Sequence, residues 1–193
     1  MIRIATEADI LQMLAIYAPY VENTTYSFEY VPPTIEEFTQ RFRKYTIQCP
    51  WLVWDQGGKI LGYAYGSLPF ERAAYSWCAE VSIYITPEAQ GQGIGRHLYA
   101  TLEEILWRQG YRIIYALITS ENEGSLRFHE KVGYQYCTEF PGCGFKFNKW
   151  LGVIWMEKRS KSVETPTCPP VSWNYVVENN RNLMEVLASL PLS

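Results

Sequence analysis

The chain lacks several features that would each point to a function. No Cys-x-x-Cys pair occurs, the five cysteines (49, 78, 137, 143 and 168) are scattered and odd in number, and His97 and His129 are the only histidines. Neither a metal site nor a disulfide framework is expected, and reduced thiols in a cytoplasmic setting are. No lysine or arginine run is present and the net charge is −3, which argues against a nucleic-acid surface or a polybasic membrane anchor. No window is long and apolar enough to span a bilayer, and the start Met1-Ile2-Arg3-Ile4 has no signal-peptide core. The Gly-Lys-Ser/Thr of a Walker loop is missing too.

What is present suits one globular domain. Of 193 residues, 48% are apolar and 19% charged, enough for a substantial core in a chain of this length. A polar, proline-rich stretch at Lys161–Pro170 reads as a linker. It divides the chain into a domain over 1–160 and a tail over 161–193, in which Leu183–Leu190 offers one short amphipathic helix. Such a tail is expected to pack against the body or a partner subunit.

Periodicity gives the elements. Ile2–Ala5 reads as a strand, and Thr6-x-x-Asp9 resembles a capping box opening a helix with apolar positions at Ile10, Leu11, Leu14, Ile16, Tyr17 and Val21. Thr34-x-x-Glu37 is a fuller capping box, for a helix through about Tyr45. Between these helices lies an aromatic loop, Asn23–Pro33. Trp51–Asp55 and Lys59–Ser67 flank a hairpin signal at Gln56-Gly57-Gly58. Trp77–Ile85 is a strand, His97–Gln109 a helix stopped by Gly110, Ile113–Ile118 a strand apolar enough to be buried on both faces, and Asn122–Val132 a helix. Tyr134–Tyr136 and Val153–Met156 read as closing strands around a Gly/Lys/Phe loop. Strands that first meander and then alternate with helices predict an α/β (α+β) fold, a mixed, mostly antiparallel sheet flanked by helices.

The most informative segment is Ile83-Tyr84-Ile85-Thr86-Pro87-Glu88-Ala89-Gln90-Gly91-Gln92-Gly93-Ile94-Gly95-Arg96. A strand runs through a glycine-rich turn into a helix. Its free amides and helix-terminal charge suit a pyrophosphate. A Rossmann fingerprint needs glycine where Arg96 stands, although Glu121, just past the following strand, leaves its acidic residue not clearly absent. A connecting turn with no ligand is the plain alternative.

The flanking residues narrow the choice. Gln90-x-x-Gly93-x-Gly95, Asn122-x-x-Ser125 and Phe128-His129-Glu130-Lys131-Val132-Gly133-Tyr134 resemble the GNAT superfamily of acetyl-CoA-dependent N-acetyltransferases. Thr24–Phe28, Pro50–Val53, Arg72–Trp77, Ala79–Ile85 and Gly144-Phe145-Lys146, in that order over about residues 1–158, are similar to its phosphinothricin acetyltransferase branch. The resemblance implies a GNAT fold, acetyl-CoA as cosubstrate and a homodimer. It also implies an acyltransferase acting on the amino group of a small amino acid or analogue of the phosphinothricin, methionine sulfone or methionine sulfoximine type.

Within that frame Glu80 is the candidate base. It is a carboxylate in an apolar and aromatic strand, where burial raises the pKa and improves proton uptake, although strand alternation would equally place a solvent-facing Glu there. His129 is the second catalytic candidate, as acid or base; a lone helical histidine is more often structural. The resemblance assigns the main chain of Ile83, Tyr84 and Ile85 to the pantetheine arm. It assigns Gly91, Gln92, Gly93, Ile94, Gly95 and Arg96 to the pyrophosphate. Asn122 would hold the pantetheine amide or cap its helix, and Ser125 belongs to the same donor site.

Phe28, Arg72, Tyr75 and Tyr84 match acceptor-site positions, with Arg72 gripping a carboxylate. Phe70 and Glu71 stand where the herbicide-detoxifying members carry a lysine. That departure leaves room for acceptors other than phosphinothricin. No residue stands out as an acyl carrier, so direct transfer in a ternary complex is expected, Cys78 being the one ping-pong candidate. The rival readings are a protein or peptide N-acetyltransferase and a non-catalytic acyl-CoA-binding regulatory domain.

Overall fold

The computed structural model describes residues 1–162, 165–180 and 183. Seven strands form one sheet in the order β1-β2-β3-β4-β5-β7-β6. They are β1 (Ile2–Ile4), β2 (Trp51–Gln56), β3 (Lys59–Ser67), β4 (Cys78–Ile85), β5 (Ile113–Thr119), β6 (Gln135–Lys146) and β7 (Lys149–Arg159). The helices are α1 (Ile10–Asn23), α2 (Ile35–Thr46), α3 (Ile94–Gln109), α4 (Glu123–Lys131) and α5 (Trp173–Glu178).

Strand alternation builds a core on each face of the sheet. Trp51, Val53 and Tyr63 pack with Met13, Tyr17, Val21, Phe38 and Phe42 of α1 and α2. On the other face Leu52, Ala64, Ala79 and Val81 pack with Leu98, Leu102, Ile105 and Leu106 of α3. The Thr34/Glu37 capping box forms with both reciprocal bonds, and Thr6/Asp9 opens a short 3-10 turn that runs into α1.

The pairing of β4 with β5 positions the site. It is the parallel pair in the sheet and holds for three residues on each strand, Cys78–Glu80 against Ile113–Tyr115. β4 then continues to Ile85 and β5 to Thr119 without pairing each other. The strands part, and a wedge opens at the middle of the sheet. The connection between them runs through the glycine-rich turn and α3, the helical crossover that a parallel pair needs.

Three expectations need correction. α3 begins at Ile94 rather than His97. Ile94 is already buried, as the first member of the stripe continued by Leu98 and Leu102, so Ile94, Gly95 and Arg96 form the first helical turn. The expected Gly/Lys/Phe loop is a long hairpin. β6 and β7 carry register shifts at Tyr136/Thr138 and Phe140/Gly144 and join through Phe147 and Asn148, both with positive φ (49° and 65°). A two-residue turn of that hand matches strand twist, and its bulges break the period that would have announced a strand. Finally, β5 is buried on one face only, with Leu117 39% exposed on the other.

The tail returns to the body. Val171 N donates to Gln109 O at 2.8 Å, Trp173 Nε1 donates to Thr46 O at 2.8 Å, and Val176 of α5 is buried against α3. Leu183 joins the same core. The rest of the expected Leu183–Leu190 helix lies outside the described residues.

Candidate active site

Three connected volumes follow the wedge between β4 and β5. A surface groove of about 490 Å³ runs over the glycine-rich turn and the start of α4. A narrow passage of about 70 Å³ lies between Ser82–Tyr84 and Ala116–Thr119. A second pocket, of about 540 Å³, opens on the far side beneath the aromatic loop. Tyr20 and Tyr26 line both groove and passage, while Tyr84, Ser82 and Thr119 line both passage and pocket.

The groove is made largely of main chain. Gly91 and Gly93 take φ of 76° and 80°, a region closed to most side chains, and Gly93 is the N-cap of α3. The first turn of α3 contains no acidic residue, so its terminal charge and donors stay available to an anion. Gly95 answers to packing instead. A Cβ there would stand 3.0 Å from Ile85 Cδ1, so glycine lets α3 sit close on β4. Ile94, Gly95 and Arg96 line the groove with Gly91 and Gly93. Gln92 does not, because its side chain folds back to donate to Glu88 O at 2.7 Å.

At the strand edge the assignments separate. Thr86 N donates to Leu61 O, and antiparallel alternation then turns the main chain of Tyr84 toward β3 and that of Ile83 and Ile85 toward the gap. Tyr84 therefore offers its ring, not its amide. Ile85 is already engaged: Tyr20 Oη donates to its carbonyl at 2.6 Å, accepts from its amide at 3.4 Å, and also accepts from Gln90 Nε2 at 3.2 Å. Of the three, Ile83 is the residue whose edge faces the gap clear of Tyr20. Asn122 lines groove and passage while its Oδ1 caps α4 by accepting from Ser125 N at 3.0 Å.

Glu80 lines the larger pocket, one residue before β4 leaves β5. Burial raises its pKa above the ordinary carboxylate value. His129 lines the passage and is 2% exposed. Its Nδ1 lies 2.8 Å from Ser125 O, which only accepts, so Nδ1 carries the proton and Nε2 accepts from Tyr99 Oη at 2.9 Å. Burial pulls its pKa down to about 4, against the Ser125 hydrogen bond. The imidazole is therefore neutral near pH 7, with both nitrogens engaged.

Phe28 and Tyr84 line the same pocket as Glu80. Arg72 and Tyr75 line none of the three volumes. They sit on the short turn after β3, with Arg72 exposed and the Tyr75 ring 4.7 Å from Phe70.

A model of the acetyltransferase (GNAT) domain matches residues 2–155. The chain belongs to the GNAT family. Its relatives include N-acetyltransferases named for amino-acid analogues and, among solved structures, a ribosomal-protein-alanine N-acetyltransferase from Brucella melitensis, 32% identical over 83% of this chain with a TM-score of 0.80. It is 37% identical to phosphinothricin N-acetyltransferase of Alcaligenes faecalis over 169 residues, 85% of this chain and 84% of that one. It is 34% identical to L-methionine sulfoximine/L-methionine sulfone acetyltransferase of Pseudomonas aeruginosa over 160 residues, 81% of this chain and 92% of the relative. Among solved structures, a GNAT superfamily phosphinothricin acetyltransferase from Sinorhizobium meliloti in complex with AcCoA superposes with a TM-score of 0.82. It is 32% identical and covers 89% of this chain and 92% of that one.

Several residues of this acetyltransferase's site carried no role in the sequence. Lys131 lines the groove. Arg41, Glu29, Tyr17, Tyr45 and Tyr65 line the pocket. Lys146 is buried with no carboxylate on its ammonium; it donates to Val21 O, Thr24 O and Ser27 O at 2.7, 3.0 and 2.7 Å. It thus pins the aromatic loop to β6. Gly144, two residues earlier, receives the Phe28 ring so closely that a Cβ would run into it. The sequence motif Gly144-Phe145-Lys146 is the seat of the aromatic loop.

Proposed function

We propose that the enzyme acetylates the amino group of a small amino acid or amino-acid analogue of the phosphinothricin, methionine sulfone or methionine sulfoximine type, with acetyl-CoA as donor. Supporting this reading is one observation above others. The half-buried carboxylate Glu80 lines the aromatic pocket two residues along β4 from Ser82, which the pocket shares with the passage, so a donor entering from the groove and an acceptor entering from the other side would meet near one base. The names of the Alcaligenes faecalis and Pseudomonas aeruginosa relatives point to the same acceptor class.

The residues present fit the donor. Amides of Gly91, Gly93, Ile94 and Gly95 would hold the pyrophosphate, with Lys131 beside them and the Arg96 amide already given to Gly93 O, and the Ile83 edge and Asn122 would take the pantetheine arm. Bound acetyl-CoA supplies an activated acetyl thioester. The chain's own work is to deprotonate the acceptor. An ammonium of ordinary pKa is mostly protonated at pH 7, and a carboxylate with a raised pKa accepts its proton more readily. His129 we assign to the thioester end of the passage as a neutral, fixed ring held by Tyr99 and Ser125. Cys78 lines none of the three volumes, and burial pushes its thiol up, away from thiolate. That favours direct transfer in a ternary complex over an acyl-enzyme.

We assign the outward face of β5 and β7 to a homodimer contact. Tyr115, Trp155, Phe140 and Phe70 form one aromatic cluster there, with Phe140 49% exposed. No helix among the described residues is long and apolar enough to cross a membrane, and a cytoplasmic site of action suits the donor.

Release of free thiol from acetyl-CoA, measured against a panel of amino acids and one peptide, tests the reading. Turnover with small amino acids is expected. Turnover with the peptide alone would transfer the enzyme to the protein acetyltransferases, and binding without turnover would make it a sensor.

A further inference from the structure

An amino acid that reacts through its amino group brings a carboxylate into the same pocket, separated from the nitrogen by one carbon. The pocket beneath the aromatic loop is walled by tyrosine and phenylalanine rings and by two carboxylates, Glu29 and Glu80. An unpaired anion there would be costly. Arg41 is the one cation among the residues that line the pocket. Lys146 is turned away, with its ammonium spent on three carbonyls. Arg72, the expected carboxylate ligand, is exposed on its turn and outside the pocket.

Arg41 is also held in place. It projects from α2, its Nη2 is paired with Glu29 Oε1, and its guanidinium carbon lies 5.8 Å from the centroids of both Tyr17 and Phe38. Tyr65 of β3 lines the same pocket as Arg41 and Glu80. A zwitterionic acceptor lying between Arg41 and Glu80 would meet unlike charge at each end, its carboxylate at the Arg41 cation and its ammonium at Glu80. Elsewhere the pocket offers aromatic rings and no second cation.

Resting on the acceptor class proposed above, we infer that Arg41 is the residue that reads the acceptor's α-carboxylate. The pocket thereby selects free amino acids over amines that lack the carboxylate. A guanidinium offers a planar fork of donors, and one pairing with Glu29 leaves donors for a second carboxylate.

The test is steady-state turnover of the full chain, R41Q and R41K with L-methionine sulfone and with its carboxamide, which keeps the amine and removes the negative charge. The unsubstituted enzyme should prefer the carboxylate in kcat/KM. R41Q should shrink that preference by about tenfold or more, the worth of a charge-assisted pair, and R41K, with charge but no fork, should fall between. An unchanged preference in R41Q overturns the assignment. So does an equal loss on both compounds in both variants, because that pattern marks an anchor for the loop and not a carboxylate ligand. If the unsubstituted enzyme acetylates no amino acid at all, the acceptor class itself fails. If it does so briskly and R41Q alone behaves wrongly, only the Arg41 assignment is lost.

Discussion

The two ends of the active-site channel are built by different means. The proposed donor groove is centred on a local main-chain feature, the turn with two left-handed glycines at the start of α3, and is completed by the start of α4 and by Tyr20 and Tyr26. The acceptor pocket is a side-chain structure, assembled from α1, the aromatic loop, α2, β3, β4, β5 and β7. The first is fixed by local geometry and tolerates few residue types. The second depends on how separate elements pack, so its chemistry changes when single side chains change. That division lets one scaffold keep its donor while the acceptor varies.

Glu80→Gln should break the link between the two ends. Turnover is expected to fall roughly a hundred- to ten-thousandfold, the usual contribution of a general base, while calorimetry finds acetyl-CoA bound with near-normal affinity. The pH dependence of kcat sharpens the point. A base with a raised pKa loses activity as pH falls and it becomes protonated, so the acid limb should vanish in Glu80→Gln. His129, neutral above about pH 4, should leave no limb between pH 6 and 9, and a limb lost in His129→Gln would reverse the two assignments.

Gly93→Val attacks the donor end alone. A β-branched residue at φ 80° is strained by roughly 1–3 kcal/mol. Acetyl-CoA affinity should drop on the order of ten- to a hundredfold, with the acceptor KM little altered. Equal damage to both would mean that the groove and pocket are not separable.

Lys146→Met is the counterpart on the acceptor side. It strands three carbonyls that now share one ammonium, at a cost of about 3 kcal/mol, and the melting temperature should fall by several degrees. Acceptor KM should rise more than acetyl-CoA Kd. The reverse order would deny Lys146 its role in seating the loop.

The smallest effect concerns His129 and stability. The folded chain protonates this ring near pH 4, from an ordinary value of 6.5, so between those pH values the unfolded chain binds more protons and stability declines as pH drops. Melting curves from pH 6.5 to 4.5 should be flatter for His129→Gln than for the unsubstituted enzyme. The raised carboxylates Glu80 and Glu103 act in the opposite sense and are common to both proteins.

The same division decides what the sequence made legible. Gln90-x-x-Gly93-x-Gly95 announces itself because each glycine answers a local demand, and the helix caps at Thr6 and Thr34 do likewise. Glu80 stood out as a carboxylate in an apolar strand. Arg41 did not, because on an amphipathic helix between Gln40 and Phe42 it is indistinguishable from a solvated charge until Glu29 and the rings of Tyr17 and Phe38 close around it. Lys146 was legible as part of a motif, yet its task depends on carbonyls more than a hundred residues earlier. The β6–β7 hairpin escaped because its bulges interrupt the two-residue period. Arg72 drew attention by resemblance, and the fold carries its turn past the pocket.

One consequence follows from the brevity of the β4–β5 pairing. Three rungs on each strand hold the two halves of the sheet edge to edge before they diverge. A donor whose amide arm lay along Ile83, as proposed, would act as a missing rung and knit the halves across the fissure. On that reading acetyl-CoA would be a structural brace as well as a reagent. The loaded enzyme should resist heat and hydrogen exchange along this seam in proportion to ligand concentration.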